Sequence, residues 1–132
     1  MKRRALLSSS VAIAVGGCLG FDGPRQPRLA WIWLRNDRQQ RYEVDVTVED
    51  GDETVFSDAY QLPAAESETV DIRETSPVEG PGRYVVRATM DGETREVDTT
   101  EFVDGDENCI GVRFSLLDNG SVDHWTKSMQ QC

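Results

Sequence analysis

Tyr42, Val44, Val46 and Val48 alternate with Glu43, Asp45, Thr47 and Glu49. A period of two places successive side chains on opposite faces of an extended chain, so this segment reads as a strand with one buried and one wet face. The pattern returns repeatedly. Asp50-Gly51 supplies a turn, Val55 to Tyr60 makes the next extended run and Leu62-Pro63 ends it, and Val70 and Ile72 then alternate with Asp71 and Arg73. Tyr84, Val86, Ala88 and Met90 mark a further strand, and Asp91-Gly92, a dipeptide that accepts left-handed backbone angles, turns the chain into Glu93 to Phe102. Ile110, Val112, Phe114 and Leu116 form the first arm of a last hairpin, Asp118-Asn119-Gly120 its turn and Val122 to Trp125 its second arm. With Leu29 to Asn36 at the start there are about eight short strands and no sustained helical period, which predicts an all-β fold, an antiparallel β-sandwich of about seven to eight strands. Residues 28–132 form this domain.

The N-terminus has a different character. Lys2-Arg3-Arg4 precedes an uncharged stretch from Ala5 to Gly17 whose only polar members are Ser8, Ser9 and Ser10. That stretch is shorter than the roughly 20 apolar residues a membrane-spanning helix needs, and it reads as an export signal over residues 1–17. Small residues lead to a cysteine in Val15-Gly16-Gly17-Cys18, which resembles the lipobox of prokaryotic lipoproteins. The resemblance implies cleavage before Cys18 and a lipid on it, so that the membrane is a partner through that lipid. Arg3-Arg4 before Ala5-Leu6-Leu7 is similar to a twin-arginine signal, the route that exports folded proteins. Residues 18–27, with two glycines and two prolines after the cysteine, suit a tether between lipid and domain.

The full chain carries 14 Lys and Arg against 24 Asp and Glu. Setting aside Lys2, Arg3 and Arg4 of the signal leaves 11 against 24, a net charge of −13 for the mature protein. A surface that negative repels phosphate backbones and anionic headgroups, which argues against nucleic-acid binding and against electrostatic adhesion to a membrane. The mature chain has ten arginines and a single lysine, Lys127, a bias that resembles exported proteins of extreme halophiles. At 1 M salt the Debye length is about 3 Å, so the self-repulsion of such a surface is screened there and loosens the fold in dilute buffer.

Three segments, Val55 to Ser67, Val70-Asp71-Ile72 and Gly82-Arg83-Tyr84-Val85-Val86 through Gly92, together resemble the middle of immunoglobulin-like domains of prokaryotic surface proteins, of the CARDB and fibronectin-III-like group. The resemblance spans roughly residues 42 to 98 and implies an immunoglobulin-like sandwich in which Tyr84 makes a corner hydrogen bond to nearby backbone. Ala65 stands where that pattern has glycine, and the final hairpin with its cysteines lies outside it.

With Cys18 carrying lipid, Cys109 and Cys132 remain, and an oxidising compartment favours a disulfide between them. A metal site is the rival reading, but His124 is the only histidine and no Cys-x-x-Cys occurs. Asp104, Asp106 and Asn108 have the alternate oxygen spacing of calcium loops, yet Cys109 stands where an EF-hand needs glycine and Ser115 where it needs glutamate. They read either as a calcium site or as a solvated acidic loop. Trp31 and Trp33 share one strand face, with Ile32 and Leu34 on the other. The favoured expectation is a strand buried on both sides, and the alternative is an exposed aromatic binding face.

His124 reads as a surface histidine, and Ser115, Ser121 and Ser128 lack the Gly-x-Ser-x-Gly elbow of a hydrolase nucleophile. The chain is therefore expected to be no enzyme and to need no cofactor. Two functions fit: a lipid-anchored, non-catalytic surface sandwich with an adhesive, envelope-structural or accessory-binding role toward an envelope protein, or a small ligand- or metal-binding lipoprotein serving a membrane transporter.

Overall fold

The computed structural model describes residues 26–66 and 70–132. The expected export signal, the expected lipidation site Cys18 and all but the last two residues of the expected tether lie outside them. Eight strands run through the described residues: β1 (Arg28–Asn36), β2 (Tyr42–Asp50), β3 (Glu53–Leu62), β4 (Val70–Thr75), β5 (Tyr84–Met90), β6 (Glu93–Asp98), β7 (Cys109–Leu116) and β8 (Val122–Met129). Among the described residues no helix is long and apolar enough to cross a membrane.

The strands form two four-stranded sheets, ordered β4-β1-β7-β8 and β3-β2-β5-β6. The central strands β1, β2, β5 and β7 each turn an alternating aliphatic set inward. Val44, Val46, Val48, Val86, Ala88 and Met90 of the second sheet share one core with Ile32, Leu34, Val112 and Phe114 of the first, all at most 2% exposed. At about 25 cal/mol per Å² of apolar surface, a fully buried valine or leucine side chain contributes roughly 1.5–3 kcal/mol. This shared burial holds the sheets together.

The all-β sandwich expected from the alternation is present, with two differences. One pair is parallel: β1 lies beside β7 in the same direction, from Arg28 against Cys109 to Asn36 against Leu116. A parallel pair needs a long crossover, and here it runs through β2 and β3 of the opposite sheet, back to β4 at the edge of the first, and through β5 and β6 of the opposite sheet again. The strand starting at Glu93 also stops before Phe102. Asp98 accepts hydrogen bonds from Thr100 N at 3.1 Å and Thr100 Oγ1 at 2.7 Å, and this cap starts a 3₁₀ turn over Thr99–Phe102.

Side-chain to backbone bonds lock the connections. The Tyr84 hydroxyl donates to Gly80 O at 2.8 Å and Glu79 O at 3.1 Å, the corner bond implied by the resemblance. A disulfide joins Cys109 to Cys132, with 5.4 Å between their Cα atoms, and fastens the C-terminus to the start of β7. In the chain-entropy model a loop of this size is worth about 3 kcal/mol.

Asn36, fully buried at the end of β1, donates from Nδ2 to Gln40 O and to Pro63 O, and its Oδ1 accepts from Arg38 N, all at 2.9 Å. The side chain thereby joins the β1–β2 loop to the end of β3. Asn36→Ala leaves two carbonyls and one amide without it, and a loss of about 2–4 kcal/mol is expected in urea unfolding. A variant within about 0.5 kcal/mol of the parent contradicts this role.

At one edge of the sandwich the Tyr60 hydroxyl of β3 donates to Glu74 Oε1 of β4 at 2.8 Å, linking the two sheets. Burial first, and then the bond to the Glu74 carboxylate, push the Tyr60 pKa well above its ordinary value. The contribution to stability is complete below the unfolded value of about 10 and is lost as pH rises through the raised folded value. Stability above pH 10 should fall more steeply for the parent than for Tyr60→Phe in urea titrations; equal slopes contradict the link.

Candidate functional site

The outer face of the β4-β1-β7-β8 sheet is built by the residues that alternate with the core. In register across the strands, Arg73 lies opposite Trp33, Trp33 opposite Arg113, and Arg113 opposite Trp125. One turn of the pleat away, Thr75, Trp31, Gly111 and Lys127 form a second row. Side chains opposite each other on neighbouring strands are close enough to interact directly.

Aromatic rings and guanidinium groups alternate within this face. The Arg73 guanidinium lies 4.4 Å from the centroid of Trp33 and 5.1 Å from that of Trp31. Arg113 lies 5.3 Å from Trp33 and 4.9 Å from Trp125. The Trp31 and Trp125 rings stack at 6.4 Å with 21° between planes, which closes the set into a circuit of five side chains. Trp31 meets Trp33 edge to face at 6.0 Å. Arginine suits these positions because its planar, weakly hydrated guanidinium stacks flat on an indole face, whereas a lysine ammonium is a compact, strongly hydrated charge.

Gly111 makes the closing stack possible. A Cβ at this position would sit inside the Trp31 ring, so only glycine lets that indole cross β7 and reach Trp125 on β8. Arg113 Nε is buried in this stack with no hydrogen-bond acceptor among the described residues. Neither Arg73 nor Arg113 forms an ion pair with a described carboxylate.

The favoured expectation for Trp31 and Trp33 is thus corrected. Ile32 and Leu34 face the core at 1% and 2% exposure, but the two tryptophans are half-buried on the outer face. What covers them among the described residues is Arg73, Arg113 and Trp125; Trp125 itself is 43% exposed. Trp125, Arg73, Arg113 and Gly111 are not singled out by the sequence reading. Their one signal is the glycine between Ile110 and Val112, since glycine inside a strand marks a close approach.

Charge divides between the two outer faces. Arg35, Arg73, Arg113 and Lys127 face outward on the β4-β1-β7-β8 sheet together with Asp71 and Asp123. On the other sheet Glu43, Asp45, Glu49, Glu96 and Asp98 face outward with the single cation Arg87. Arg87 bridges Glu49 and Glu96, and the hydrogen bonds its guanidinium donates to the two carboxylates raise its pKa.

The remaining candidates do not converge. His124 is half-buried with its ring against Phe102, 6.5 Å between centroids, instead of standing free on the surface. The hydroxyls of Ser121 and Ser128 donate to Asn119 and Glu107, and Ser115 is buried. Around the acidic loop, Glu107 also accepts from Asp104 N, and Asp106 accepts from Gln130. Among the described residues no three His, Cys, Asp or Glu side chains gather as metal ligands. A cleft of about 530 Å³ includes Asp37, Arg38, Tyr42 and Asp118. Its Arg38 donates to Leu117 O at 2.9 Å and Ser121 O at 3.1 Å, so it holds two loops together.

A double-mutant cycle on Arg113→Met and Trp125→Leu, read by urea unfolding, should give a coupling of about 0.5–1 kcal/mol between them. A coupling of zero contradicts the stack.

A family described as the halobacterial Ig-like domain matches the chain over residues 40–125, from the β1–β2 loop into β8. The match takes in the final hairpin, beyond the span of the resemblance seen in the sequence. No curated protein and no solved structure matches.

Proposed function

The chain belongs to the halobacterial Ig-like domain family, and from that premise we propose that it is a lipid-anchored, non-catalytic module on the extracytoplasmic face of the cell membrane, with an adhesive, envelope-structural or accessory-binding role. The observation that carries this reading is the flat outer face made by Trp31, Trp33, Trp125, Arg73 and Arg113. Stacked indoles and guanidiniums without carboxylate partners are groups that make contacts, and aromatic residues and arginine are the types enriched where proteins meet partners. Nothing in that face has the nucleophile and base that turnover requires.

The location rests on three supports. Val15-Gly16-Gly17-Cys18 resembles a lipobox. The disulfide between Cys109 and Cys132 fits an oxidising compartment outside the cytoplasm. The family's immunoglobulin-like fold is one that extracellular proteins use widely. Two acyl chains on Cys18, at about 0.8 kcal/mol per buried methylene, are enough for stable anchoring without a spanning helix.

Cys18→Ser tests the anchor. The parent is expected in the membrane fraction with the mass of a lipidated Cys18 N-terminus, and the variant in the soluble fraction. Equal membrane retention of the two, or a parent mass without lipid, overturns the lipoprotein reading.

A further inference from the structure

We propose that the tryptophan–arginine face docks on the bilayer surface itself, so that the sandwich lies flat on the membrane with its acidic sheet outward. This deepens the proposed function and rests on its lipid anchor.

The chain reaches the face from the lipid. Residues 18–27 separate Cys18 from β1, and ten residues extend to at most about 35 Å. Trp31 lies three residues into β1, about 10 Å along the strand, and Trp33 follows on the same face. A lipid on Cys18 therefore holds this face within tether range of the headgroups, at an effective concentration no free ligand matches.

The chemistry of the face fits that surface. Indoles favour the membrane–water interface, where the ring meets acyl chains and the N–H meets water and headgroups. Arginine and lysine lay their aliphatic stems along apolar surface and keep the cation at headgroup level. Trp125 is the most exposed of the three indoles, and Lys127 stands beside it on the same strand face. Beside Arg35, which pairs with Asp37, the face offers Arg73, Arg113 and Lys127 against Asp71 and Asp123 in a chain whose mature net charge is −13, while the opposite outer face offers five carboxylates against one cation. An anionic bilayer attracts the first and repels the second, which selects one orientation. A second copy of the chain, docking through its acidic sheet, is a poorer complement because Glu49 and Glu96 there already pair with Arg87.

All three tryptophans of the chain belong to this face, so indole fluorescence reports on it alone. The full chain, processed by its host and purified in detergent, is reconstituted into vesicles of phosphatidylglycerol and phosphatidylcholine, a fraction of whose lipids carry a nitroxide near the headgroup. Docking predicts that the nitroxide lipid quenches the emission and that acrylamide quenches about threefold less than in Thr75→Glu/Lys127→Glu. That variant reverses the charge of the face at two exposed positions outside the stack and keeps every indole. Its circular dichroism should match the parent, and it should still fractionate with membranes through its lipid. If it misfolds, Lys127→Glu alone serves, with the same direction of effect.

Anchored parent protein without nitroxide quenching, or with quenching equal to the variant's, overturns docking while leaving the anchor standing. A chain without lipid is a failure of the anchor alone. The same vesicles are then added to that soluble chain, where quenching supports docking and its absence overturns it. Acrylamide protection by soluble polygalacturonate with none by vesicles also overturns it, in favour of an acidic glycan.

Discussion

Every feature of this molecule depends on the burial of one side of each strand against the opposite sheet. Val44, Val46 and Val48 on β2 and Val86, Ala88 and Met90 on β5 meet Ile32, Leu34, Val112 and Phe114 across the core. Once those residues are inside, the pleat leaves their neighbours no choice of side: Trp31, Trp33, Arg113 and Trp125 must face outward. A slip of one residue in β1 would exchange Ile32 and Leu34 for two indoles that the core has no room to accept. The outer face is thus a consequence of the core, and its rigidity is inherited from it.

That inheritance is what turns single contacts into a surface. An exposed guanidinium–indole pair is worth about 0.5–1 kcal/mol, little more than thermal energy. Four strands already fixed in register by backbone hydrogen bonds carry Arg73, Trp33, Arg113 and Trp125 into line, so their ordering entropy has largely been met by the fold. The same rows explain how Arg73 and Arg113 are held without an ion pair to a described carboxylate. Cation–ring contacts depend on geometry that the sheet supplies, and they use no carboxylate, of which the chain has many elsewhere. In concentrated salt, where ordinary ion pairs are screened, flat stacking keeps its dispersion component.

Much of the fold was legible in the residues themselves. Alternation marked the strands, and the turn dipeptides marked their ends; Asp91 and Gly92 do adopt the left-handed angles expected of a tight hairpin, at φ 52° and 76°. The corner role of Tyr84 came from the resemblance of Gly82-Arg83-Tyr84-Val85-Val86 to immunoglobulin-like domains. The parallel pairing of β1 with β7 was not legible, because it joins segments more than seventy residues apart and no local pattern encodes which of several apolar strands becomes a neighbour. The end of β6 was missed for a different reason: Phe102 continues the apolar pattern, but the Asp98 side chain captures Thr100 and turns the backbone first.

The sequence by itself determined the periodicity, the acidic total and the placement of turns, all of which are local or additive properties. Only the tertiary structure decided how the charge is distributed and what the tryptophans do. A net charge of −10 describes a sum, and a sum cannot reveal that four cations collect on one sheet and five carboxylates on the other. Trp31, Trp33 and Trp125 likewise become one feature only when β1, β7 and β8 lie side by side, with Gly111 leaving the gap that an indole fills. The physical reason is the same in both cases: strand pairing brings distant residues within a few ångströms, and the energies that matter on a surface fall off over that distance.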